Sequence, residues 1–293
     1  MILPATSVPA QKTVQCLSPA GLHTMAYKEW GDPHNPHVLV CVHGVTRVSD
    51  DFDDLARVLC DRFRVVCPDV VGRGRSSWLR NPAFYVLPQY VSDMVTLLAR
   101  LDAETLDWCG TSMGGLIGMG VASLEGNPIR RLVLNDVGPA LNAEALARIG
   151  AYISLQRRFD SLDTARAYIR EISAPFGPHT EDQWNKIADD VLKQDADGKW
   201  IRHYDPQLAA PFQSTTVESA AQAQALLWAA YDAIRCPTLL LRGSESDLLT
   251  SDAAREMTQR GPKPQLVEFE GVGHAPTLMH LNQIAAVQNF LLD

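Results

Sequence analysis

The chain has 293 residues, 46% of them hydrophobic and 20% charged, with a formal net charge of -8. That length and balance suit one large α/β domain, or a core carrying an inserted subdomain, with a substantial buried interior. The acidic sign argues against nucleic acid and anionic membrane as partners, no apolar run is long enough to span a bilayer, and the first residues lack the basic-then-apolar pattern of a secretory signal. Six cysteines (Cys16, Cys41, Cys60, Cys67, Cys109 and Cys236) form no C-x-x-C pair. Several fall in apolar runs, where a thiol acts as a small hydrophobe; they read as reduced, which points to a cytoplasmic protein.

In chain order, Thr13 to Gly31 reads as two short strands around a turn at Pro19-Ala20-Gly21. His37 to Val42 is a continuous apolar run, the pattern of a parallel strand buried on both faces. Asp51 to Asp61 is a short amphipathic helix, Arg62 to Cys67 the next strand, and Pro88 to Leu101 a helix with Tyr90, Met94, Leu97 and Leu98 on one face. The run Thr105 to Cys109 is a strand, Leu116 to Ala122 a helix, and Ile129 to Asn135 another buried strand. After Gly138-Pro139 the alternation stops, and Ala140 to about Phe212 is mostly helix and loop. It resumes with a helix over Ala220 to Ala233, strands at Thr238 to Leu241 and Gln265 to Phe269, and helices over Ala253 to Arg260 and Leu281 to Leu292. The expectation is an open, mostly parallel sheet wrapped by helices, divided as core 1–138, helical cap 139–215 and core 216–293. An insertion at a strand end would cover the ligand crevice as a lid.

Gly110-Thr111-Ser112-Met113-Gly114 lies between the strand and the helix, the setting that a G-x-S-x-G nucleophile elbow requires. A serine hydroxyl is a poor nucleophile at neutral pH; it needs a base, and the base needs a third group to hold its tautomer. His274 follows the strand ending at Phe269, and Asp247 follows the strand ending at Leu241. If the strands are parallel, all three loops share one sheet edge. Asp247 is the favoured acid on loop spacing, and Asp136, after Leu132-Val133-Leu134, is its rival; His280 competes less well with His274 as base. The oxyanion needs two backbone N–H donors. Met113, next to the nucleophile at a helix N-terminus, supplies one, and Val45 in His43-Gly44-Val45-Thr46-Arg47 is the candidate for the other.

With these motifs, and with Pro68-Asp69-x-x-Gly72-x-Gly74-x-Ser76 between them, the whole chain resembles the α/β-hydrolase fold superfamily. The resemblance implies an eight-stranded sheet and acyl transfer through a covalent ester on Ser112, with no cofactor or metal, and leaves the substrate open. Superfamily epoxide hydrolases and dehalogenases use an aspartate nucleophile, which Ser112 argues against, and the lipase-type HGGG loop is absent. The expectation is a serine esterase for small to medium carboxylic esters. Its alternatives are a carbon–carbon bond hydrolase or enol-lactonase using the same triad, or a ligand receptor on this scaffold. Gly72-x-Gly74 lacks the third glycine of a dinucleotide fingerprint, and Asp32, His34 and His37 read as a solvated turn rather than a metal site. His43 reads as a brace for the oxyanion loop, and Arg47 as an ion-pair partner of Asp50 or Asp51 ahead of a substrate anchor. Trp184, Trp200, Tyr204, Phe212, Trp228 and Tyr231 read mostly as lid core, with one or two left to line an acyl pocket.

Overall fold

A computed structural model describes residues 8–140, 143–213 and 217–293. The chain begins with β1 (Ala10–Ser18), β2 (Gly21–Trp30), β3 (His37–Val42), helix α1 (Asp53–Leu59) and β4 (Arg64–Pro68). Helix α2 (Leu87–Leu101), β5 (Thr105–Thr111), α3 (Met113–Ala122) and β6 (Ile129–Asn135) follow. Next come α4 (Ala143–Ser154), α5 (Leu162–Ile172), α6 (Glu181–Asp189), the short strands β7 (Leu192–Gln194) and β8 (Trp200–Arg202), α7 (Ala210–Gln213) and α8 (Val217–Ala233). The chain ends with β9 (Thr238–Gly243), α9 (Ser251–Gln259), β10 (Gln265–Phe269) and α10 (Leu281–Leu292).

The main sheet has eight strands in the order β1-β2-β4-β3-β5-β6-β9-β10. β2 runs antiparallel to β1 and β4, and every pairing from β4 to β10 is parallel. This is the α/β-hydrolase architecture that the motifs imply. The order reverses at β3, which has β4 on one side and β5 on the other. In an open parallel sheet the crevice outside the carboxyl ends at such a reversal is where ligands bind. The loop after β3 carries Val45, and the loop after β5 carries Ser112.

Side-chain alternation along β3 explains the burial of both faces. Val38, Val40 and Val42 join the layer formed with α2, α3 and Tyr231 of α8, whereas Leu39 and Cys41 join the layer formed with α1 and α10. Each fully buried aliphatic side chain in these layers contributes roughly 1.5–3 kcal/mol relative to exposure. Cys41, Cys67 and Cys109 sit in the second layer and Cys16 in the first, all fully buried, so these thiols act as apolar filler. A third cluster belongs to the segment between β6 and β9, where Ala165, Tyr168 and Ile169 of α5 pack on Trp184, Ile187 and Ala188 of α6.

The β7–β8 hairpin lies in a segment that the sequence reads mostly as helix and loop. Its strands are three residues long, too short for a period to register, but Asp197-Gly198 is a recognisable turn signal and Gly198 takes a φ of 75°. Among the described residues no helix is long and apolar enough to cross a membrane.

Candidate active site

Ser112 is held at φ 52° and ψ -116°, outside the regions a serine ordinarily visits. The sequence makes this possible through the flanking glycines. A Cβ on Gly110 would lie 2.2 Å from the Gly114 carbonyl oxygen, and a Cβ on Gly114 would lie 1.9 Å from the Val42 carbonyl oxygen. Strand β5 and helix α3 can therefore close on each other and on β3 only without side chains there. The Trp108 indole donates to the Gly114 carbonyl at 3.1 Å, and the Ser112 N–H donates to the Asn135 carbonyl at 2.9 Å, fixing the elbow from below and from β6.

Ser112 Oγ lies 2.9 Å from His274 Nε2, and His274 Nδ1 lies 2.7 Å from Asp136 Oδ2. Asp136 is fully buried at the end of β6 with a φ of 58°, and it also accepts from the Ser246 hydroxyl at 2.7 Å and the Gly243 N–H at 3.1 Å. A carboxylate surrounded by donors can only accept, so the shared proton sits on His274 Nδ1 and Nε2 is left to accept from the serine hydroxyl. Asn135 bonds to Thr111 Oγ1 at 2.9 Å and to the Pro276 carbonyl at 2.8 Å, joining the elbow strand to the loop that carries the histidine.

The acid expected from sequence is not the one that meets the histidine. Asp247 is half exposed and forms an ion pair with Arg148 of α4, whereas the rival residue Asp136 carries the hydrogen bond to His274. The physical reason is adjacency. β6 and β9 are neighbours, so either strand end can reach the imidazole, and here the loop after β9 turns Ser246 onto Asp136 and leaves Asp247 half exposed at the cavity wall, paired with Arg148. Loop spacing does not encode that choice. The signal that did point to Asp136 was its position directly after a buried strand.

The loop after β3 runs beside the nucleophile: a Cβ on Gly44 would come within 3.8 Å of Ser112 Cβ. Met113 is the first residue of α3, where helix geometry leaves the N–H without an intrahelical acceptor. His43 is fully buried, with Nδ1 2.7 Å from the Gly44 carbonyl and Nε2 2.9 Å from the Val70 N–H. Since Nε2 accepts, Nδ1 donates; the ring is neutral, and burial lowers its pKa. It is the brace that the sequence suggests. Arg47 spends its Nε and Nη2 on Asp51 at 2.6–3.1 Å and its Nη1 on the Ile187 carbonyl at 3.0 Å, tying the loop to α6.

Above Ser112 and His274 opens a cavity of about 750 Å³, walled by Val45, Ile149, Tyr152, Phe176, Ile187 and Met279 among others. The segment between β6 and β9 supplies the largest single share of this wall, and the loops after β3, β9 and β10 supply most of the rest. Among the described residues, the cavity's aromatic walls are Phe52, Tyr152 and Phe176, and none of Trp184, Trp200, Tyr204, Phe212, Trp228 and Tyr231 lines it. Trp184, Tyr204 and Tyr231 are buried core instead. Asp190, also in the cavity wall, has its pKa raised to about 6 by burial; the charge of Asp51 adds to the shift and Lys186 opposes it. His280 is the residue before α10, its ring tilted by 51° against that of His179 with centroids 4.6 Å apart. Asp32 and His34 lie in the turn leading into β3, where Asp32 accepts from the His34 N–H at 2.9 Å; His37, the first residue of β3, contacts Thr105 Oγ1 through Nδ1 at 2.6 Å. The buried trio Cys16, His23 and Asp93 brings three potential metal ligands together, but its imidazole and carboxylate already pair at 2.9 Å, and none of the three lines the cavity.

Residues 39–287 match the model of the alpha/beta hydrolase family. The chain belongs to that family. It is 55% identical over 280 residues, 94% of this chain and 96% of the relative, to the 3-hydroxybutyrate-oligomer hydrolase of Cupriavidus necator. An alpha/beta hydrolase from Novosphingobium aromaticivorans superposes with a TM-score of 0.85 at 33% identity, covering 98% of this chain and 99% of that one. E-2-(acetamidomethylene)succinate hydrolase shares the fold, with a TM-score of 0.80 at 22% identity over 97% of this chain and all (100%) of the other. The protein is a hydrolase.

Proposed function

We propose that the protein is a serine hydrolase that cleaves carboxylic esters, short oligomers of 3-hydroxybutyrate among them, through an acyl-enzyme on Ser112. The observation that carries this reading is the unbroken hydrogen-bond chain from Ser112 through His274 to Asp136. The substrate class is supported by the relative at 55% identity, named for hydrolysis of 3-hydroxybutyrate oligomers. In such an oligomer the carboxyl of one unit is esterified to the hydroxyl of the next, so the linkage is an ordinary carboxylic ester.

Ser112 Oγ attacks the ester carbonyl as His274 Nε2 takes its proton, and Asp136 stabilises the imidazolium that forms. The carbonyl oxygen gains a negative charge, held by the Val45 and Met113 N–H groups. Collapse expels the hydroxyl of the neighbouring unit, which receives the proton from His274. Water, deprotonated by the same imidazole, then attacks the acyl-enzyme, frees the acid and restores the serine. A cavity of about 750 Å³ accommodates a chain of a few such units. In this reading residues 139–215 act as the lid, and the fully buried, unbridged Cys16, Cys41, Cys67 and Cys109 suit the cytoplasm.

The test is release of 3-hydroxybutyrate from synthetic dimer and trimer, alongside p-nitrophenyl butyrate cleavage. Turnover of both by the wild-type protein supports the proposal. Turnover of neither, with activity only on vinylogous diketones, would replace it with carbon–carbon bond hydrolysis.

A further inference from the structure

Arg73 occupies the middle of the Gly72-x-Gly74 turn. The glycines are there for want of space: a Cβ on Gly72 would lie 2.7 Å from the Tyr85 ring, and one on Gly74 would lie 2.4 Å from the Asp69 carboxylate. Arg73 alone of the three projects a side chain, and it is 1% exposed. Among the described residues the guanidinium forms no ion pair. It donates instead to four neutral acceptors: the Val45 carbonyl at 2.8 Å, the Val71 carbonyl at 2.7 Å, the Tyr90 hydroxyl at 3.0 Å and Met113 Sδ at 3.2 Å. The rings of Tyr90 and Tyr85 lie 5.0 and 5.9 Å away, offering their faces to the cation.

Two of those acceptors belong to Val45 and Met113, the residues whose N–H groups are to hold the oxyanion. We propose that Arg73 is a positioning residue that sets the spacing of the oxyanion hole, a role that rests on the serine-hydrolase reading above. The guanidinium is a rigid planar fork, so bonds from Nε and Nη2 fix their two acceptors relative to each other. Holding the Val45 carbonyl fixes the backbone of the residue that presents one donor. Holding the Met113 side chain fixes the first turn of α3, which presents the other. The turn itself is clamped from the far side by the segment after β8, where the Asp205 N–H donates to the Gly72 carbonyl at 2.8 Å and the Gly74 N–H donates to the His203 carbonyl at 2.9 Å. Arg73 and Tyr204 pair there as an isolated antiparallel bridge. A buried cation with no carboxylate in contact also leaves a positive field behind the hole, where negative charge develops in the transition state.

The experiment compares Arg73→Met and Arg73→Lys with the wild type on p-nitrophenyl butyrate. Affinity is measured for a butyl trifluoromethyl ketone, which forms a tetrahedral adduct with the serine, and for the product butyrate. Losing a direct oxyanion donor costs about 10²–10³ in kcat, so losing its support is expected to lower kcat about 10- to 100-fold with KM within about twofold. Ketone affinity should fall by the same factor and butyrate affinity should hold; lysine, which keeps the charge but not the fork, should fall between. Wild-type kcat and ketone affinity in Arg73→Met, or a loss confined to KM, overturns the proposal. Should the methionine variant not fold, Arg73→Lys decides: a common loss in kcat and ketone affinity supports it, and no loss overturns it. Full activity of Ser112→Ala would instead sink the serine-hydrolase reading, a result distinct from any in the Arg73 series.

Discussion

His274 Nδ1 lies 2.7 Å from Asp136 Oδ2, and this contact joins the end of β6 to the loop after β10 across β9, the strand between them. The loop after β9 fills the gap by giving Asp136 the Ser246 hydroxyl and the Gly243 N–H. Three adjacent strand ends thus converge on one buried carboxylate. That carboxylate faces three hydrogen-bond partners, His274 Nδ1, the Ser246 hydroxyl and the Gly243 N–H.

That arrangement separates two carboxylates that sequence alone could not. Asp136→Asn keeps the shape but presents an amide donor to Nδ1, which favours the wrong imidazole tautomer; kcat on p-nitrophenyl butyrate is expected to fall by about 10⁴. Asp247→Asn removes only a half-exposed ion pair with Arg148 and should leave kcat within about twofold. Steady-state kinetics on both variants checks this, and a larger loss in the Asp247 variant would reverse the assignment.

Ser112→Ala should abolish ester cleavage and labelling by a fluorophosphonate probe. The fold should survive, since the elbow is fixed by backbone bonds and by Gly110 and Gly114 rather than by the hydroxyl. Circular dichroism melts of the variant are expected to match the wild type within a few degrees. Retained labelling would place the nucleophile elsewhere.

The sheet was legible because its parallel strands are buried on both faces and so read as unbroken apolar runs, as in His37 to Val42. Ser112 and His274 were legible because the steric needs of an elbow and of a loop after a strand leave marks at fixed offsets. The acid was not, since the direction in which a loop turns depends on packing between neighbouring strands. Nor was Arg73 legible as a support, because its acceptors at 45, 71, 90 and 113 are brought together only by folding.

The elbow's steric account predicts an asymmetry among glycines. Gly114→Ala drives a methyl to 1.9 Å from the Val42 carbonyl oxygen, backbone against backbone, and should destabilise by about 3 kcal/mol or more. Gly126→Ala, at φ 73° with nothing within 4 Å, pays only the left-handed backbone penalty, about 1 kcal/mol. Urea unfolding of the two variants measures the difference; equal losses would mean that β5, α3 and β3 are not so closely apposed.

His43 links stability to pH. Burial lowers its folded-state pKa below the ordinary 6.5, the Asp69 charge and the bond to the Gly44 carbonyl oppose the shift, and the Arg73 charge adds to it. Below about pH 6.5 the unfolded chain therefore binds a proton that the folded chain refuses, and stability falls as pH drops toward the folded-state value. The slope contributed by one such group approaches about 1.4 kcal/mol per pH unit. His179 and His203 are shifted the same way by burial, so the wild-type slope is shared among them. Asp190 works in the opposite sense: with a folded-state pKa of about 6 it binds a proton in the folded chain first, and stabilises as pH falls from about 6 toward 4. Comparing urea unfolding of the wild type and of His43→Asn at pH 7.5, 7.0, 6.5 and 6.0 cancels these other groups. The variant, less stable throughout for want of the brace, should lose less stability over that range than the wild type does. Parallel curves would show that the His43 ring takes up its proton as readily in the folded chain as in the unfolded one.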